Sequence, residues 1–168
     1  TLAYGKTADY VESLKVVLAD GCEHELNALT RPQLAAKKKR RTFEGRLYRT
    51  IDAILTKNAA AISLAKPKVS KNSAGYALWN VRHEEKKTFD LAQLIVGSQG
   101  TLGLISQITF RLIKPKIHRR MVVIFLHDFA DLATVILKVL AQQPESFESY
   151  DDHTLKVAIR FLPGLAKE

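Results

Sequence analysis

Three glycines recur at three-residue spacing in one short stretch of the chain, at Gly97, Gly100 and Gly103. Because glycine has no Cβ, the backbone amides of such a stretch can approach a ligand closely. In a Rossmann fingerprint or a P-loop, the glycines follow a strand and open a helix, so that the helix dipole helps to hold phosphate. Here the predicted order is reversed, with a helix before the stretch and a strand after it. On spacing alone, a tight structural turn explains the glycines as well as a nucleotide contact does.

Two other groups of residues combine side chains that can do chemistry. The Asp-Asp-His sequence at residues 151–153 offers carboxylates and an imidazole, which suit Zn²⁺ or Mn²⁺. Consecutive helical residues point in different directions, however, so we prefer an N-cap followed by an acidic first turn. The His-Glu-Glu sequence at residues 83–85 lies in a charged stretch, and we interpret it as a solvated loop. We assign no catalytic residue and no metal ligand.

The elements before the glycine stretch are a predicted hairpin and a helix. Residues 11–19 are apolar and β-branched, and they lead through Asp20 and Gly21 into a second apolar run at residues 22–26. This pattern predicts a β-hairpin, with Cys22 packed in its second strand. Apolar residues at helical spacing then predict an amphipathic helix at residues 42–57, capped by Thr42.

The residues that flank the glycine stretch predict a helix before it and a strand after it. Asp90 is expected to cap a short helix that ends at Gly97. After the glycines, Ile108, Phe110 and Leu112 alternate with polar residues, which predicts a half-buried strand that ends before Pro115 and pairs with the hairpin.

Beyond Pro115 the pattern restarts as a βαβα series. We expect a strand at residues 121–127, a helix at about residues 131–142, a strand at residues 146–150 and a helix from Asp151. The sequence therefore predicts an α+β fold with two domains, at residues 1–115 and 116–168.

Composition narrows the classes of protein. The chain has 168 residues, a formal net charge of +9 and a single cysteine, which excludes an internal disulfide framework. No apolar run approaches the roughly 18 residues that a membrane helix needs, so we expect a cytoplasmic protein, with peripheral membrane association left open. The densest basic run, at residues 37–41, is expected to form a solvated loop without a nucleic-acid partner, because no aromatic residues interleave with it.

Three stretches together resemble a known family. The sequence LIVGSQGTLGLISQITFRL at residues 94–112 is similar to a segment of the vanillyl-alcohol oxidase superfamily of FAD-linked oxidases, which usually reads GSEGTLGI. The sequence YGKTADYVESLKVVLADG at residues 4–21 resembles the tyrosine-glycine turn and hairpin of that family. KNSAGYALW with FDLAQL, within residues 71–94, resembles a third family segment. Within the superfamily, the chain resembles the glycolate oxidases and the D-lactate dehydrogenases.

The resemblance implies an FAD-binding domain with the flavin between two subdomains, and a ferredoxin-like cap domain over the substrate. Residues 1–115 would be the second half of the flavin domain, made of a mainly antiparallel sheet with flanking helices, and residues 116–168 the start of the cap. Asn72 would either approach the flavin or cap a turn. We expect no Cβ to fit beside FAD at Gly100 and Gly103. The cofactor contacts that the resemblance implies are Tyr4, Gly5, Asn72, Gly97, Ser98, Gln99, Gly100, Thr101, Leu102, Gly103, Leu104 and Ile105.

This sequence departs from the family pattern at two places. Gln99 stands where the family usually has glutamate, which removes a charge but keeps a hydrogen-bond acceptor. Residues 79–88 intervene between the Gly-Tyr pair and Phe89, so no role is assigned to Tyr76.

The intact protein is expected to be a flavin-dependent oxidoreductase that oxidises a 2-hydroxy acid such as D-lactate or glycolate. A flavin-dependent transferase similar to alkylglycerone-phosphate synthase is one alternative. A flavin-free basic binding module with the same fold is another. Because the chain begins at Thr1 and ends soon after Leu162-Pro163-Gly164, we expect a fragment that lacks the family's pyrophosphate-loop subdomain and is inactive alone.

Overall fold

The computed structural model describes residues 2–69, 72–73, 75–162 and 164, and the remaining residues (Thr1, Ser70, Lys71, Ala74, Pro163 and 165–168) lie outside this description. The chain divides into two compact units. We call Thr7–Pro115 the sheet unit, and Thr1–Lys6 together with Lys116–Glu168 the helical unit.

The sheet unit begins with a hairpin. Strand β1 (Val11–Val17) pairs antiparallel with strand β2 (Glu23–Thr30), which confirms the predicted hairpin. Gly21 has a φ of 74° in the connection, and its N–H donates to the Leu18 carbonyl at 2.9 Å. The prediction for Cys22 is wrong, because the connection extends through that residue and leaves it exposed before β2 begins.

Three helices follow β2 in the chain. They are α1 (Arg31–Lys39), α2 (Phe43–Lys57) and α3 (Ala59–Ala65). Helix α2 confirms the prediction, and the Thr42 hydroxyl accepts a hydrogen bond from the Gly45 N–H at 3.3 Å.

Helix α1 overturns the expected loop at residues 37–41, since it extends through Lys39. Pro32 is tolerated in its first turn, because the backbone N–H that proline lacks would have no hydrogen-bond partner within the helix. Three lysines occupy its last turn, where the helix dipole favours positive charge. The density of charge in this run favours a loop, whereas Pro32 and the position of the lysines favour the helix that forms.

Three further strands complete the sheet of this unit. They are β3 (Arg82–His83), β4 (Thr88–Asp90) and β5 (Leu104–Phe110), and a short helix, α4 (Ala92–Ile95), lies between β4 and β5. All pairings are antiparallel, and the order is β3-β4-β2-β1-β5. The predicted α+β class with a mainly antiparallel sheet is therefore confirmed, as is the pairing of β5 with the hairpin.

The core of the sheet unit lies between the hairpin and α2. Leu14, Val16 and Leu26 of the hairpin and Tyr48 of α2 are fully buried. The Tyr48 and Phe89 rings pack at a centroid distance of 6.0 Å, which joins α2 to β4. Burial of such apolar side chains supplies about 1.5–3 kcal/mol each.

Two acidic side chains of α2 tie the neighbouring elements together. Asp52 accepts hydrogen bonds from Lys38 of α1 and from the Arg82 guanidinium of β3, the latter at 2.6 Å. Glu44 accepts from Lys37 and from Arg40, the latter at 2.9 Å. Part of the basic run is therefore neutralised by the protein itself.

Strand β5 is more exposed than its alternating sequence predicts. Leu104, Ile108 and Phe110 keep 72%, 39% and 42% of their surface exposed, and Leu112 lies beyond the end of the strand. The prediction of half-burial is wrong, because all seven residues of β5, on both faces of the strand, are exposed in the described structure. A period of two identifies a strand, but burial also requires a layer packed against one face.

The helical unit contains α5 (Leu132–Leu140) and α6 (Asp152–Phe161). The Asp151 carboxylate accepts from the Thr154 N–H at 2.7 Å, which confirms the N-cap interpretation. The described part of this unit contains no strand, so the strands predicted at residues 121–127 and 146–150 are wrong. The apolar letters at 121–127 favour a strand, but a strand forms only where a neighbour completes its hydrogen bonds. In the described part of the chain, no helix has the length and apolarity needed to cross a membrane.

Asp52→Asn should destabilise the protein in a pH-dependent way. Burial alone would raise the pKa of Asp52, but the hydrogen bonds from Lys38 and Arg82 outweigh it and lower the pKa. A lowered pKa means that the stabilisation is present above the ordinary value near 4 and disappears as the pH falls through the lower folded value. We expect urea denaturation to show a loss of about 1–2 kcal/mol at pH 7 that shrinks below about pH 4. Glu12→Gln, on an exposed carboxylate of β1, is the control, and a pH-independent loss in Asp52→Asn would contradict the ion-pair account.

Candidate functional site

The glycine stretch is held at its start by the short buried helix α4. Asp90, the last residue of β4, accepts a hydrogen bond from the Ala92 N–H at 2.9 Å and so caps the first turn of α4, although Leu91 occupies the N-cap position itself. Burial raises the pKa of the Asp90 carboxyl, and that hydrogen bond partly opposes the effect. The Gln93 side chain donates to the Ala8 carbonyl at 3.1 Å. Helix α4 is therefore held by two hydrogen bonds, one to Asp90 at the end of β4 and one to Ala8 before β1.

The loop from Gly97 to Gly103 turns sharply at residues 98–101. Helix α4 ends at Ile95, two residues before the predicted end at Gly97. Gly97 has a φ of 86°, and Gln99 and Gly100 follow with φ values of 54° and 76°. The Thr101 N–H donates to the Ser98 carbonyl at 3.1 Å, so these four residues form a hydrogen-bonded turn with the positive φ angles of type I′. Gln99 holds a left-handed conformation that costs a residue with a Cβ about 1–2 kcal/mol. Such strain is concentrated at functional sites.

A tyrosine outside the loop contacts this turn. The Tyr76 hydroxyl lies 2.9 Å from Oγ1 of Thr101, and the Thr101 hydroxyl donates to the Ser98 carbonyl at 2.6 Å. Sequence analysis assigned no role to Tyr76. The signal that could have found it is the Gly-Tyr pair of the family segment.

Gly100 and Gly103 are required for different reasons. A Cβ on Gly103 would lie 2.7 Å from the Val17 carbonyl oxygen and 2.8 Å from Cγ2 of Val16. A Cβ on Gly100 would meet nothing within 4 Å, although its φ disfavours any side chain. The crowding at Gly103 therefore comes from β1, and the expected lack of room for a Cβ beside FAD at both glycines stays a prediction.

The loop borders an open depression of about 410 Å³. This volume lies at the lower end of the range of about 300–1,000 Å³ that small-molecule sites occupy. The lining residues are Ile95, Gly97, Ser98, Gln99, Gly100, Gly103, Leu104 and Ile105. Seven of these were predicted as cofactor contacts, and Ile95 was not.

The other predicted contacts lie elsewhere. Thr101 and Leu102 are outside the lining of the depression, and Leu102 packs against the core. Asn72 is half-buried and also lies outside that lining, while Tyr4 and Gly5 belong to the helical unit. The structure thus brings seven of the predicted contacts within residues 97–105 together around one turn.

The charged stretch before the loop is more ordered than predicted. His83 is half-buried in β3, so only Glu84 and Glu85 keep the predicted exposed position in a turn. A second depression of about 280 Å³ lies here, with basic Arg31, Arg82, His83 and Lys87 beside acidic Asp52 and Glu84. Across the described residues, no group of three or more His, Cys, Asp or Glu side chains is arranged to hold a metal ion.

The chain is similar to bacterial proteins named D-2-hydroxyglutarate dehydrogenase. It is 30% identical to the protein of Pantoea ananatis over 160 residues, which is 94% of this chain and 16% of that protein. It is 31% identical to the Escherichia coli protein over 120 residues, covering 71% of this chain and 12% of that protein. The Haemophilus influenzae protein is 27% identical over 162 residues, again 94% of this chain and 16% of its own length.

The chain thus spans about one sixth or less of the length of these curated relatives. No protein-family model matches the chain, and no solved structure does. The names and identities of the relatives support the resemblance to the FAD-linked oxidase superfamily.

Gly103→Ala should destabilise the protein more than Gly100→Ala. The Gly103 Cβ would press on the backbone carbonyl of a central strand, at an expected cost of about 3 kcal/mol. The Gly100 Cβ would enter open space and cost only the left-handed backbone term, about 1 kcal/mol. Urea denaturation of both variants measures the difference, and an equal or larger loss in Gly100→Ala would show that the loop is not anchored at Gly103.

Proposed function

We propose that this chain contributes one wall of the FAD site of a flavin-dependent dehydrogenase that oxidises a D-2-hydroxy acid. The observation that carries the proposal is the type I′-like turn at residues 98–101 beside an open depression. Its two left-handed residues lie within the family segment that the resemblance assigns to the adenosine and pyrophosphate part of FAD.

The chemistry of the loop fits such a ligand. Gly97, Gly100 and Gly103 leave the backbone bare, and a ligand can use the open space next to Gly100. Gln99 supplies an uncharged donor and acceptor at the tip of the turn, so a hydrogen bond to a ribose hydroxyl or to an amide of the ligand remains feasible without the glutamate that the family usually has. Leu104 and Ile105 supply apolar surface for the uncharged parts of the ligand.

The names of the relatives support one choice of substrate. D-2-hydroxyglutarate is a 2-hydroxy acid, so it replaces D-lactate and glycolate as the favoured substrate within the predicted class. FAD, when bound, would accept the hydride from the hydroxyl-bearing carbon. The residues of this chain would position the cofactor and exclude water on one side of it.

The remaining assignments belong to the same proposal. Tyr4, Gly5 and Asn72 would complete the cofactor contacts, residues 1–115 would be the second half of the flavin domain, and residues 116–168 would begin the cap. We also propose a cytoplasmic protein without a nucleic-acid partner. The ion pairs of Lys37, Lys38 and Arg40 with α2 favour this over the basic binding module. The dehydrogenase names of the relatives favour oxidation over the transferase alternative.

The native gene product, purified without added cofactor, should show a flavin absorbance spectrum. Adding D-2-hydroxyglutarate without oxygen should bleach it through flavin reduction, whereas L-2-hydroxyglutarate should not. A native product without flavin would refute the proposal. A flavoprotein reduced by D-lactate but not by D-2-hydroxyglutarate would refute the substrate assignment alone.

Gly100→Val in the native gene product should strip most of the flavin, because its side chain would fill the space beside the turn. Gly21→Val is the matched control, since Gly21 has a similar φ of 74° and equally open surroundings but lies outside the lining of the depression. Both variants pay a similar backbone cost, so flavin content measured per folded protein isolates the site. Full occupancy in Gly100→Val at unchanged stability would show that the loop is only structural.

The 168-residue chain by itself should hold little FAD. Its depression is open and about 410 Å³ in volume, so a dinucleotide would keep much of its surface in water. Losing about 5 kcal/mol of contacts would turn a nanomolar affinity into one of several micromolar or weaker. A fluorescence titration with FAD measures this, and saturation below about 1 µM would show that one wall is sufficient.

A further inference from the structure

We propose that Tyr76 is a positioning residue that holds the glycine loop in its ligand-binding shape through the Thr101 hydroxyl. This inference rests on the proposed function, because it assigns the purpose of that shape to FAD binding. The observation behind it is the chain of two hydrogen bonds from Tyr76 to Thr101 and from Thr101 to Ser98.

The direction of both hydrogen bonds follows from simple chemistry. A carbonyl oxygen can only accept, so the Thr101 hydroxyl must use its one proton on the Ser98 carbonyl. The contact between Thr101 and Tyr76 then requires that the phenol donates and that Thr101 accepts. The Ser98 carbonyl also accepts the Thr101 N–H of the turn. By polarising the Thr101 hydroxyl, the phenol strengthens a second hydrogen bond between the two residues that close the turn.

Tyr76 is itself fixed by the segment that follows it. Its carbonyl accepts the Leu78 N–H at 2.8 Å, and the Val81 carbonyl accepts the Asp90 N–H at 2.7 Å. Leu78 packs against the core and Val81 is fully buried. Tyr76 is 45% exposed, yet the segment that follows it is bonded at Val81 to Asp90 of β4, the strand that leads into α4 and the loop.

Tyr76 acts from outside the binding surface. Neither Tyr76 nor Thr101 lines the depression, whereas Ser98, Gln99 and Gly100 do. Removing the phenol hydroxyl would therefore delete no contact to a ligand in the depression. Any loss of affinity would come from a looser turn, in which Gln99 leaves its left-handed conformation.

The first arm of the test uses the 168-residue chain without cofactor. Amide hydrogen exchange of Thr101, whose N–H closes the turn, should be about threefold faster in Tyr76→Phe, as expected for loss of one partly exposed hydrogen bond. Tyr10→Phe is the control, because Tyr10 lies next to the opposite end of β5 from the loop. Unchanged exchange of Thr101 in Tyr76→Phe would overturn the proposal.

The second arm measures FAD affinity in the native gene product. Tyr76→Phe should weaken binding about threefold. In a Thr101→Val background the same change should have no further effect, because the acceptor is already lost. In a Thr101→Ser background, which keeps the hydroxyl, the threefold effect should return. Additive effects of Tyr76→Phe and Thr101→Val would overturn the proposed route through Thr101.

The two arms separate the proposals. Faster exchange with unchanged FAD affinity would show that the loop shape held by Tyr76 is not used for binding, and would overturn the inference. A wild-type native product that binds no FAD would refute the proposed function, and the exchange arm would then decide the structural part of the inference by itself.

Discussion

The place of the glycine loop depends on one close approach between backbones. Gly103 lies so near the Val17 carbonyl that no side chain fits between them, and the next residue, Leu104, pairs with Val17 in the sheet. Strand β1 is paired on both edges, with β2 and β5, and contributes side chains with no exposed surface, so its backbone has little room to move away from Gly103. Asp90 fixes the other end of the loop by capping α4. With both ends held, the turn between them can keep the strained conformation of Gln99 that an unsupported loop would relax.

Several basic side chains of this protein form ion pairs within the fold. A net charge of +9 suggests an external anionic partner. However, Glu44 and Asp52 of α2 form ion pairs with basic side chains of α1, of β3 and of the segment between α1 and α2. The Arg49 guanidinium donates to the carbonyls of Lys38 and Arg40, the latter at 2.8 Å, and so satisfies acceptors at the end of α1 that have no helical partner. The basic residues of α1 and of the segment after it therefore hold α1 and α2 together, and Arg82 joins α2 to β3. Net charge describes the long-range field of a protein, but it does not reveal which cations already have partners.

Local signals in the sequence predicted the elements that local physics determines. Turn chemistry at Gly21, capping by Thr42 and Asp151, and the reversed helix-loop-strand order around the glycines all depend on neighbouring residues, and the structure confirms them. Half-burial of β5 and the two strands of the helical unit depend on distant partners, and those predictions failed. The site divides in the same way, because spacing reveals bare glycines but cannot show that Gly103 is crowded by β1 or that Tyr76 reaches the turn. Both facts arise from contacts between residues far apart in the sequence.

The single thiol of the chain lies at the end of the sheet where the loop re-enters it. Cys22 is exposed, and its carbonyl accepts the Leu18 N–H at 3.2 Å, one residue beyond the Val17 that meets Gly103. A maleimide dye would therefore attach at one known point beside the loop, with no other cysteine in these 168 residues to remove first. Because the side chain projects from a hairpin connection and lies outside the core, labelling would leave the packing of the sheet intact. The protein thus carries a natural attachment site for an optical reporter, whose signal could follow changes in the loop in real time.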